Sequence, residues 1–134
     1  MSAPGSRVVY ASEVTKVGGQ VEAFLGHGMV IFFGENAPAE LHDMSVLHRT
    51  EVAEDGPVAG DLITLGEEDM EVLAVGHVVR DNLLNLGHLD LKADGLTVPN
   101  LPGDVCVRTG DLPLLRTGDP FRITRRTSTT EQDR

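Results

Sequence analysis

The density of turn signals constrains this chain more than any other feature. Gly18-Gly19, Gly26-His27-Gly28, Gly34, Asp55-Gly56-Pro57, Gly60-Asp61, Asp94-Gly95, Pro102-Gly103-Asp104 and Gly118-Asp119-Pro120 interrupt it repeatedly, drawing on 15 Gly and 7 Pro. Such punctuation leaves no room for long helices and favours many short strands. The apolar runs agree. Val8-Val9-Tyr10, 29–33, Val46-Leu47, 62–65, 72–79, 89–91, 105–107 and 121–123 are brief and rich in β-branched residues. The run 62–65, a turn at 66–69 and the run 70–79 read as a hairpin. Two segments differ. Residues 20–25 and 81–86 read as helices of one or two turns, the second with Asp81 as its cap and Gly87 as its stop. The fold expected is mainly β: a small barrel-like folded sheet of short strands with one or two short helices.

The 134 residues, 40% apolar and 24% charged, suit a single domain spanning 1–134 with one core. The small, polar or charged ends carry too little apolar surface to offset the entropy of ordering them. Residues 1–6 and 126–134 are therefore expected to be disordered, and the polar run 125–134 reads as a frayed tail. Against 21 Asp and Glu stand 11 Lys and Arg, a formal charge of −10. That balance argues against nucleic acid, whose affinity rests on cationic contacts that release counterions. No apolar run approaches the roughly 18–20 residues of a membrane span, and no apolar signal core opens the chain. Cys106 is the one cysteine and cannot form an internal disulfide. Together these features point to the cytoplasm, with Cys106 as a buried core thiol.

Five histidines titrate near neutrality without large perturbation: His27, His42, His48, His77 and His88. His27, between two glycines, reads as a turn residue, and His77, in AVGHVV, as a partly buried, hydrogen-bonded strand residue. His48 stands out in SVLHRT. It follows Val46-Leu47 and precedes the acidic stretch 51–55, which places it at a strand end reaching solvent, a rigid mount for a nucleophile. His88 follows the helix-ending Gly87 and can aim into the same region. His42, Asp43 and His48 supply some ligands for a metal, but their spacing matches no HExxH, EF-hand or zinc-knuckle pattern, so no metal site is expected. Serine hydrolase, P-loop and dinucleotide motifs are also missing.

Two stretches, FFGENAPAELHDMSVLH (32–48) and AVGHVVRDNLLNLGHLDLKADG (74–95), carry a family resemblance. The chain resembles the glucitol/sorbitol-specific IIA component of the phosphoenolpyruvate-dependent sugar phosphotransferase system. In that family a loop F-x-E-x-A-P-A-x-L leads to an apolar strand with the phosphorylated His, followed by A-V-G, D-N-L and L-G-H. Here these fall on Phe33, Glu35, Ala37-Pro38-Ala39, Leu41 and His48, then on Ala74-Val75-Gly76, Asp81-Asn82-Leu83 and Leu86-Gly87-His88. One departure concerns the site. The family places a second His two positions after the first, followed by Gly, whereas Thr50 and Glu51 stand here.

The resemblance implies a mainly β barrel-like fold and a cytoplasmic phosphotransferase component. It would accept a phosphoryl group from phospho-HPr on His48 and pass it to the cysteine of a cognate IIB domain, without metal or organic cofactor. It further implies that Nε2 carries the phosphate, so that Nδ1–H should rest on a carbonyl or carboxylate. Arg49, Thr50 and His88 are the expected supports at the phosphoryl oxygens, with Thr50 in place of the second His. Other readings remain: a non-catalytic β binding module of the same fold, or a metal-dependent barrel enzyme using His42, Asp43 and His48. A homodimer covering an open sheet edge is also expected.

Overall fold

The computed structural model describes residues 5–126. Its strands are β1 (Ser6–Val17), β2 (Met29–Gly34), β3 (Val46–Ala53), β4 (Leu62–Leu65), β5 (Glu68–Val75), β6 (Leu89–Lys92), β7 (Asp104–Val107) and β8 (Pro120–Arg126). Two helices, α1 (Val21–Leu25) and α2 (Val79–Leu86), and a 3-10 turn at Ala39–Leu41 complete the described elements. The strands close into a barrel in the order β1-β3-β2-β6-β7-β5-β4-β8. Pairings are antiparallel except β2 with β3 and β6 with β7. A closed barrel has no open sheet edge, so the reason given above for a dimer falls away. Among the described residues no helix is long and apolar enough to cross a membrane.

β1 shows why these residues make strands. From Tyr10 its side chains alternate, with Tyr10, Ser12 and Val14 buried and Ala11, Glu13 and Thr15 half-buried, the period of a strand with one face on a core. Val9 breaks the alternation at a register shift between Val8 and Tyr10 in the pairing with β8. The interior is filled by Tyr10, Phe32, Ile63, Leu65, Leu89, Leu91, Phe121 and Ile123, all at most 1% exposed. Phe32 and Phe121 stack at its centre, 4.2 Å between centroids and 14° between planes.

Several expectations change. The hairpin forms, but β5 begins at Glu68, leaving Gly66-Glu67 as a two-residue loop. The run 72–79 is not one strand. Gly76 donates its N–H to the Asp104 carbonyl at 2.8 Å, and its Cα lies so close to the Pro102 carbonyl that a side chain has no space. The chain therefore turns at His77, which is exposed rather than buried in a strand, and α2 starts at Val79. Asp81 lies in the first turn of α2 instead of capping it, where its carboxylate still complements the helix dipole.

Ser6 and Arg126 pair at the ends of β1 and β8, so strand structure reaches into both segments expected to be disordered; residues 1–4 and 127–134 lie outside the described range. Arg125 is no frayed residue. It forks onto Asp61 (Nε to Oδ1 3.1 Å, Nη2 to Oδ2 2.9 Å), donates from Nη1 to Asp55 Oδ2 at 2.7 Å, and reaches the Gly56 carbonyl at 2.8 Å. Asp55 in turn accepts Arg80 Nε of α2 at 2.7 Å, which ties β8 and the β3–β4 loop to the start of that helix. The two guanidinium groups hold the Asp55 carboxyl down at about 2. Asp61 is only 2% exposed, so removing its partner strands a buried carboxylate. Arg125→Ala should cost about 3 kcal/mol in denaturant unfolding. A loss within the scatter of ordinary surface substitutions would show that the network contributes nothing.

Candidate active site

His48 stands in β3 between β1, where it pairs with Val14, and β2, where it pairs with Gly34. It is not at the strand end. Residues 49–53 continue the pairing with β1, and the exposed side chains of Arg49, Thr50 and Glu51 give that half the polar look of a loop. His48 itself is 1% exposed. Its ring meets Phe121 edge-on at 5.2 Å, Phe32 at 5.9 Å and Tyr10 at 6.2 Å. The chain has one Tyr and four Phe, and three of those five rings surround this imidazole.

The backbone after α2 fixes the ring. Gly87 ends the helix at φ 65°, a left-handed conformation that glycine adopts without a Cβ penalty. The turn presents the Gly87 carbonyl to His48 Nε2 at 2.7 Å. A carbonyl oxygen only accepts, so Nε2 carries the proton. Nδ1 is buried and has no hydrogen-bond partner among the described residues. The arrangement implied by the resemblance is thus reversed: Nε2, not Nδ1, is the nitrogen held by a carbonyl. The cause is reach, since the ring tip points at the turn. Burial lowers the His48 pKa below 6.5, opposed by the Gly87 bond and the Glu35 charge, so the imidazole is neutral at neutral pH.

Over His48 lies a cleft of about 460 Å³ between the loop 34–38, β3 and the end of α2. Arg49 and Thr50 line it with His48. Arg49 reaches Glu13 at 3.5 Å and Glu35 at 3.8 Å with about half its side chain exposed, so these pairs add little stability and leave the guanidinium mobile. Thr50, two residues on from His48 along the strand, shares a 2.7 Å hydrogen bond with the Tyr10 hydroxyl. His88 is not in the cleft wall. It stacks on Phe33 at 4.1 Å and 10°, bonds Asp90 Oδ1 through Nε2 at 3.1 Å, and backs the wall from behind. His42 bonds the Ala37 carbonyl at 2.8 Å and braces the loop. His42, Asp43 and His48 do not converge, and no group of three or more His, Cys, Asp or Glu among the described residues is placed to hold a metal. Cys106 is buried, with its pKa pushed up to about 11 by burial and then by Asp94.

Tyr10, Glu35 and Gly87 belong to the site and were not singled out for it from the sequence. Glu35 and Gly87 sit inside quoted motifs, which marked them without giving a role. Tyr10 lies 38 residues before His48 and carries no local signal, because only sheet pairing brings the two together.

Residues 9–122 match the family model described as PTS system glucitol/sorbitol-specific IIA component. The chain is 36% identical over 106 residues to the PTS system glucitol/sorbitol-specific EIIA component of Shigella flexneri and, equally, to that of Escherichia coli (strain K12). Each match covers 79% of this chain and 85% of the relative. The crystal structure of a PTS system IIA component from Enterococcus faecalis V583 is similar in fold, with a TM-score of 0.67, 21% identity, and 87% of this chain and 98% of that one covered.

Two measurements check the state of His48. Nitrogen-15 NMR should show Nε2 protonated and Nδ1 bare at neutral pH; the opposite tautomer would mean that the Gly87 bond does not form. The pH dependence of stability gives a second check. An unfolded imidazole takes its proton near 6.5, whereas burial keeps His48 neutral to lower pH. Below 6.5 the unfolded chain binds the extra proton first, so the stability present above 6.5 is lost as pH falls toward the folded pKa, by at most about 1.4 kcal/mol per pH unit. The difference between wild type and His48→Gln isolates this. Asp55 acts in a separate window, from 3.8 down to about 2.

Proposed function

Because the chain belongs to the family of PTS system glucitol/sorbitol-specific IIA components, we propose that it is a phosphotransfer intermediate that carries the phosphoryl group on His48. The observation behind this reading is positional. Of the five histidines, only His48 stands in the wall of the cleft, neutral and set between hydroxyl and guanidinium side chains. A neutral imidazole offers a lone pair at its unprotonated nitrogen, and a cleft beside it can seat a phosphoryl group.

In this reading phospho-HPr is the donor and the cysteine of a IIB domain the acceptor, the whole chain 1–134 acting as one IIA-type phosphocarrier domain in the cytoplasm. A His48 nitrogen lone pair forms the new N–P bond while the donor's N–P bond breaks and its electron pair stays on the donor nitrogen. Transfer through Nε2 sets two requirements. The proton now on Nε2 must pass to Nδ1 by exchange with solvent, and the Gly87 carbonyl must swing clear, since it occupies the line of attack. The transition state is loose, so the protein's contribution is alignment and charge stabilisation at the equatorial oxygens. Thr50 supplies a hydroxyl and Arg49 a cation once it leaves its exposed carboxylates. His88 acts at one remove, by holding Phe33.

Labelled phosphoenolpyruvate, the first enzyme of the system and HPr provide the test. The protein should take up one acid-labile phosphoryl group, and a folded His48→Gln variant none. Glutamine suits the test because alanine at a site 1% exposed would also leave a cavity. Label on His48→Gln would mean another histidine carries the group, and an unlabelled wild type would overturn the reading.

A further inference from the structure

We propose that Tyr10 is a positioning residue for phosphoryl transfer, acting through the 2.7 Å hydrogen bond between its hydroxyl and Thr50 Oγ1. This rests on the phosphotransfer reading above. The Tyr10 ring is fully buried, packed edge-on against His48 on one side and tilted against Phe121 on the other. Its hydroxyl nonetheless meets the cleft wall beside Thr50, which is exposed. A buried phenol with its polar end at a cleft wall is an oriented dipole, because the ring cannot turn without breaking core contacts.

The two hydroxyls differ in acidity. With the phenol, the better donor, donating to Thr50 Oγ1, the threonine proton is free for a group in the cleft. Chained donors polarise one another, which strengthens the terminal O–H as a donor to an anionic oxygen. Thr50 lies two residues beyond His48 on the same strand, on the same side of the sheet. Its proton is therefore placed for an equatorial phosphoryl oxygen on the His48 adduct. Neither hydroxyl gives up its proton. The transfer exchanges one N–P bond for another, and the pair only stabilises the oxygens as charge develops.

Tyr10→Phe retains the ring and deletes the oxygen, and Thr50→Val retains the shape and deletes the donor. Single-turnover transfer from saturating phospho-HPr should slow about tenfold in each. The double variant should be no slower than Thr50→Val alone, because Tyr10 works through Thr50. Thr50→Ser should restore most of the rate, and in that background Tyr10→Phe should slow transfer again. A merely structural role would move thermal stability and leave this pattern out. A full-rate Tyr10→Phe, or losses that multiply to about a hundredfold in the double variant, would overturn the proposal while leaving the phosphotransfer reading intact. A wild type that takes no label would overturn both.

Discussion

Closure of the sheet through β1, whose twelve residues bond β3 along one edge and β8 along the other, decides where the other elements can go. Pairing to β3 carries His48 inward beside Val14, and pairing to β8 brings Phe121 beneath it. With both edges satisfied, the inward side chains of β1, β2 and β8 have one shared interior. Three of the chain's five Tyr and Phe rings collect there. The stacked pair Phe32 and Phe121 forms the floor on which the imidazole stands, so the most polar residue of β3's buried half has apolar neighbours on three sides.

Much of this was legible because it is local. Short β-branched runs between turn residues marked most strands, and Gly87 marked the end of α2. What was not legible depends on distant partners. Arg125 reads as tail because Asp55 and Asp61 lie 70 and 64 positions away from it. Residues 51–53 read as loop because a barrel strand with its outer face in water looks polar in sequence. The valines of 72–79 read as one strand because the contact that stops it, Gly76 against the Pro102 carbonyl, comes from a loop 26 residues on.

The site shows the same division. Motif resemblance drew attention to His48 and Thr50, and the fold places them in one cleft. It also drew in His88, two residues beyond Leu86 in the same motif, where a left-handed turn sends the side chain behind the wall instead of into it. The local strand period links His48 to Thr50; nothing local links either to Tyr10. The substitution of Thr for a second His is therefore better understood with its neighbour than alone. A threonine hydroxyl by itself is a weaker donor than an imidazolium, and one hydrogen-bonded to a buried phenol is a different group.

The Gly87 carbonyl has a consequence for selectivity. A nitrogen whose proton is already engaged by a backbone acceptor, inside a shell that water barely reaches, is a poor target for small electrophiles. Acetyl phosphate or an alkylating reagent brings no binding surface with which to prise the turn aside. A docked protein does. If His48 carries the phosphoryl group through Nε2, as proposed above, the Gly87 contact latches the resting site by its own main chain, and a docked macromolecular donor would be favoured over small reactive phosphates without a dedicated recognition side chain. It follows from one left-handed residue at the end of an eight-residue helix.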